Sequence, residues 1–124
     1  MKLKIVLHGN AHELDVHFNK YSINGACAVE LFEDNEPFCY VTTNIPDHWK
    51  EIWKGTPSEG QYPKFPYIII KDYSENEGMA DALEGAGFIT GHVRLAQCMF
   101  KLAKLTDVWI AEAVKSKSFK GYKG

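Results

Sequence analysis

Along the first forty residues, apolar side chains recur at every second position, the period of a strand with one buried face. Residues 13–19 keep that period most cleanly, through Leu14, Val16 and Phe18. In residues 2–7, Leu3 and Ile5 fall opposite Lys2 and Lys4, and His8-Gly9-Asn10 supplies turn chemistry after them. Asn24-Gly25 is a strong hairpin signal ahead of residues 27–32. The polar run 33–37 then separates that segment from the β-former-rich residues 38–43. Four strands on short connections predict an antiparallel meander.

The period changes at Pro46. Trp49, Ile52 and Trp53 make an i, i+3, i+4 stripe that predicts a short helix over 46–55, and the proline-rich residues 56–66 read as a loop. Residues 67–70 are a continuous apolar run, and 67–71 read as a strand covered on both faces. Ser74-Glu75-Asn76-Glu77 has the form of a capping box, with the Ser74 hydroxyl as N-cap. Met79, Ala82, Leu83 and Ala86 continue it as a helix that Gly87 closes. Between 93 and 105, Leu95, Cys98, Met99, Leu102 and Leu105 fit a helical stripe. Residues 107–116 read as a helix with Thr106 or Asp107 as N-cap, and residues 116–124 as a basic mobile tail.

Length and composition add bounds. The chain has 124 residues, is 45% hydrophobic and 24% charged, and has a net charge of −2. This suits one domain, residues 1–115, with its own core. No apolar run approaches the ~20 residues of a membrane span, and no signal peptide opens the sequence, so a cytoplasmic setting is expected. The charge is uneven. Residues 1–93 carry seven Lys against fourteen acids, whereas residues 94–124 carry seven bases against two acids. An acidic body thus leads into a basic arm.

The run Lys71-Asp72-Tyr73-Ser74-Glu75-Asn76-Glu77-Gly78-Met79, followed by Ala82-Leu83 and Gly87-Phe88-Ile89, resembles a family of small proteins of unknown function. Its members are encoded by phages, plasmids and conjugative elements. Ala28-Val29-Glu30-Leu31 and Tyr40-Val41-Thr42-Thr43-Asn44-Ile45 are similar to its early strands. Two departures stand out: Gly91-His92-Val93-Arg94-Leu95 replaces the family's polar junction, and the Lys-rich C-terminal extension is particular to this chain. The resemblance implies a strand over 97–105, against the helical stripe, and we adopt it. It also implies a bacterial mobile element as the setting and carries no active site with it.

Several residue groups could hold chemistry. His8, His12 and His17 lie close in sequence, with Cys27 and Cys39 further on, but the turn between them breaks the helical spacing a metal site would use. They read as solvent-facing histidines, and no metal or cofactor is expected. Cys27, Cys39 and Cys98 form no CxxC pair and read as small core residues. Glu77, Asp81 and Glu84, together with Asp72 and Glu75, form an acidic stretch without a base. It reads as helix-capping charge and as a face for a basic protein surface. No phosphate-binding glycine motif is present. Lys115, Lys117, Lys120 and Lys123, interleaved with Phe119 and Tyr122, have the ingredients of a phosphate-tracking, base-stacking arm.

The expected fold is therefore α+β, with a mostly antiparallel sheet of about five or six strands and two or three short helices. Trp49, Trp53, Ile68, Ile70, Met79 and Leu83 are the expected helix–sheet core. The expected function is a non-enzymatic accessory protein that inhibits a host defence complex, of anti-restriction or anti-CRISPR type, by protein–protein contact through Glu77, Asp81 and Glu84. The alternative is a nonspecific nucleic-acid-binding protein that uses the Lys-rich arm.

Overall fold

The computed structural model describes residues 1–44, 62–94 and 100–122. The expected helix over 46–55, with Trp49 and Trp53, lies outside the described residues, as do Cys98 and Lys123.

Among the described residues, seven strands and two short α-helices make an α+β fold. The meander predicted at the N-terminus is present as β1 (Lys2–Leu7), β2 (Asn10–Lys20), β3 (Cys27–Glu33) and β4 (Glu36–Tyr40), in spatial order β1-β2-β3-β4. Its two tightest turns are local chemistry. His8 and Gly9 both have positive φ, as do Asp34 and Asn35, the backbone that a two-residue hairpin between twisted strands requires. Register follows from burial: Leu3 faces Leu14, and Phe18 faces Val29, so the apolar faces of three strands coincide. The register slips between Leu31 and Phe32, beside the Phe32–Pro37 pair. Proline has no amide to give to the ladder there.

The remaining strands, β5 (Tyr67–Lys71), β6 (Ile89–Arg94) and β7 (Phe100–Leu105), form a second antiparallel sheet in the order β5-β7-β6. Two sheets thus replace the single sheet of five or six strands expected. The residues after β4 stitch them together: Val41 N–H donates to Val29, Lys71 N–H donates to Val41, and Thr43 N–H donates to Ile69. Thr42 pairs with Ile70 in an isolated bridge. A segment this short gives the two sheets one shared core rather than one continuous ladder. The stretch from Phe100 to Leu105 is a strand, as the family resemblance implied, and its partner Ile68–Ile70 is buried on both faces.

Helix α1 (Met79–Gly85) packs against β1, β6 and β5, bridging the outer strands of the two sheets. Its apolar stripe, Met79, Ala80 and Leu83, is fully buried. The predicted cap is wrong, however. Residues Ser74–Asn76 form a 3₁₀ turn, Ser74 itself has φ of 57°, and the N-cap position is Gly78 at φ 88°. The carboxylate of Asp72 does the capping, accepting from Gly78 N–H at 2.7 Å and Ala80 N–H at 3.1 Å. The turn shifts the helix start four residues on, beyond the reach of Ser74. Asn76, 1% exposed, ties this turn to the first sheet by donating to the Tyr40 carbonyl at 2.6 Å.

Helix α2 (Asp107–Ala113) begins after Thr106, as predicted, but the Thr106 hydroxyl donates to the Gly87 carbonyl instead of closing its own helix. Trp109 from α2 meets Phe88 and Phe18, with ring centroids 5.1 and 6.4 Å apart. Burying such rings contributes roughly 1.5–3 kcal/mol each. In the C-terminal segment, Lys117, Lys120, Gly121 and Tyr122 are exposed. Phe119 is 4% exposed and belongs to the same core, so the segment is anchored to the domain at that ring.

Candidate binding surfaces

The five acids from Asp72 to Glu84 separate into two groups by their partners. Asp72 is structural, and Glu75 is an exposed partner of Lys71. The Asp72 side chain is 4% exposed and its carboxylate meets Lys101 Nζ at 3.0 Å. Burial alone would raise its pKa, but Lys101 and the two helix amides together hold it below the ordinary value. Glu75 sits 2.6 Å from Lys71 Nζ, and that contact is the main reason its pKa falls to about 2.

Asp81 and Glu84 instead project from the outer flank of α1, with side chains 82% and 50% exposed. Between them they hold His92 of β6: its Nε2 lies 2.9 Å from Asp81 and 3.7 Å from Glu84. Glu77 is exposed just before the helix, and its backbone carbonyl accepts from His8 Nε2–H at 2.9 Å. That bond fixes the proton on Nε2, because a carbonyl can only accept. A groove of about 560 Å³ runs between β1 and α1, lined by Lys4, Val6, His8, Glu77 and Asp81 among others. The structure therefore places Glu77 and Asp81 along one groove and turns Glu84 toward β6. Sequence reasoning missed His92, because its pairing with Asp81 depends on how the helix meets the second sheet.

The three N-terminal histidines go to different partners. His8 binds the Glu77 carbonyl, and His12 meets Glu33 at 2.9 Å beside the Phe38 ring. His17 lies against Phe32. Among the described residues no group of three or more His, Cys, Asp or Glu side chains could hold a metal ion. Burial pushes the Cys27 thiol up to about 12, and it is likewise the main cause that takes Cys39 to about 11. Both stay protonated near neutrality and lack thiolate nucleophilicity.

The basic arm is divided by folding. Lys115 is paired with Glu112 at 2.9 Å, and Lys117 is exposed. The Phe119 ring stacks on Phe65, with Tyr122 edge-on to Phe65 at 4.6 Å. Around these rings lies a second pocket, of about 410 Å³, lined by Lys20, Lys64, Phe65, Phe119, Lys120 and Tyr122 with two glycines. Lys20 and Lys64 carry no sequence signal that links them to the arm, since they come from distant parts of the chain.

Among the described residues no helix is long and apolar enough to cross a membrane. Comparison of the chain with protein-family models, with characterised proteins and with solved structures finds no match.

Proposed function

We propose that this chain is a non-enzymatic binding protein of a mobile genetic element, whose acidic flank on α1 engages a basic surface of a host defence complex. The supporting observation is the outward placement of three carboxylates, Glu77 and Asp81 along the β1–α1 groove and Glu84 on the flank of α1 toward β6, whereas Asp72 is buried by the fold and Glu75 is neutralised by Lys71. Exposed carboxylates of one sign on a rigid helix favour a complementary partner and steer its approach. Val6, 64% exposed at the groove, adds apolar area between the charged rims. The mobile-element setting rests on the resemblance of residues 71–89. The alternative, an arm that tracks nucleic acid along residues 115–123, is less favoured as first framed: Phe119 is inside the core and Lys115 is engaged by Glu112.

Affinity capture from bacterial lysate tests the reading. A protein retained by the wild type after nuclease treatment should be lost with the combined Glu77→Lys, Asp81→Lys and Glu84→Lys variant, whose fold is checked by circular dichroism. Equal capture by the folded triple variant overturns it. Asp81→Asn with Glu84→Gln keeps hydrogen-bonding groups near His92, so it separates lost charge from a lost clamp.

A further inference from the structure

Among the described residues, five lysines are neutralised where they emerge. Lys2, Lys4, Lys71, Lys101 and Lys115 each lie within 4.0 Å of a carboxylate. Among the described residues, Lys20, Lys64, Lys104, Lys117 and Lys120 are not ion-paired, and three of these five, Lys20, Lys64 and Lys120, line one pocket with no acid among its described lining residues. The floor is aromatic. Phe65 and Phe119 are stacked with centroids 4.4 Å apart, and the Lys20 ammonium stands 5.4 Å from the Phe119 centroid. Tyr122 keeps 36% of its surface exposed at the same place. Three ammonium groups around one pocket make a positive site to which an anion is attracted.

We propose that this pocket binds a nucleotide, with the phosphate among Lys20, Lys64 and Lys120 and the base against Tyr122. The ligand class follows from the two components. Ammonium groups recognise phosphate as point charges, and an exposed aromatic ring accepts any base by stacking. The volume of about 410 Å³ falls in the range of small-molecule sites, about 300–1,000 Å³. No arginine lines the pocket, so base-edge discrimination is not expected. The site is independent of the role proposed for α1, since none of its lining residues belongs to that helix.

Two probes separate the sources of such a ligand: adenosine monophosphate for a free nucleotide, and a short oligothymidylate for a single strand. Titration of the full chain, followed by amide chemical shifts, should move the resonances of Lys20, Lys64, Lys120 and Tyr122 with at least one probe. Lys64→Glu and Lys120→Glu should each weaken binding about tenfold, and Tyr122→Ala about fivefold or more. Lys104→Glu, the same charge change on an exposed lysine of β7 outside the lining, should change it less than about twofold. Three results overturn the proposal. The first is no amide shift with either probe up to about 5 mM. The second is inorganic phosphate or adenosine binding as tightly as the monophosphate. The third is Lys104→Glu weakening binding as much as the pocket variants, which would mark a diffuse surface charge.

Discussion

The ring of Phe119 lies on that of Phe65, centroids 4.4 Å apart and planes 19° from parallel. The contact anchors the C-terminal segment to the residues that lead into β5. Phe119→Ala should therefore cost about 3 kcal/mol, the usual loss for emptying a buried aromatic site. Lys117→Ala, on the exposed side of the same segment, should stay within about 0.5 kcal/mol. Urea unfolding of the two variants checks this, and equal midpoints would mean that the segment is not part of the core.

A second expectation concerns the start of α1. Asp72 caps the helix and pairs with Lys101 at once, so Asp72→Asn should cost about 2–3 kcal/mol. Ser74→Ala should cost less than about 0.5 kcal/mol, because the exposed Ser74 makes no cap bond to α1. The reverse order in thermal or chemical unfolding would restore the capping box.

The same carboxylate sets a pH dependence. The folded-state pKa of Asp72 lies below its ordinary value of 3.8. Its contribution is thus full above that value and is lost as pH falls through the depressed one. The stability gap between wild type and Asp72→Asn should be widest near neutrality and should narrow below about pH 4. Denaturation midpoints measured from pH 7 down to pH 2.5 would show a constant gap if the shift were absent.

At the seam between the sheets, Thr42 is 3% exposed, and its hydroxyl oxygen accepts from Val29 N–H at 3.0 Å while meeting Tyr21 Oη at 2.9 Å. Thr42→Val keeps the shape but leaves a buried amide without a partner, at a cost of about 1–3 kcal/mol. Thr42→Ser should cost less, and the comparison by chemical denaturation isolates the hydroxyl. Burial is the main reason the Tyr21 phenol titrates above its ordinary value, partly opposed by the Thr42 bond. Removing Thr42's hydroxyl should therefore raise it further, which ultraviolet titration would detect.

Local patterns carried a large part of the fold. The alternation of Leu14, Val16 and Phe18 specified a strand face, and the turn residues Asp34 and Asn35 specified where the meander reverses. These features depend on residues a few positions apart, so sequence states them directly. Residues 100–105 were harder: an apolar stripe is readable as helix or strand until a partner is known, and β5 and β6 are that partner. The helix cap failed for a related reason. Ser74 and Asp72 are both competent N-caps, and the 3₁₀ turn at Ser74–Asn76 decides which carboxyl or hydroxyl faces the free amides.

The candidate sites divide along the same line. Sequence alone determined that Glu77, Asp81 and Glu84 share a region without bases, because a short segment keeps its residues together in any fold. Tertiary structure alone decided that His92 sits between two of them, that Phe119 is core rather than platform, and that Lys20 and Lys64 join Lys120. Those groupings arise from sheet register and from packing of distant segments, and neither leaves a spacing in the chain that could announce it.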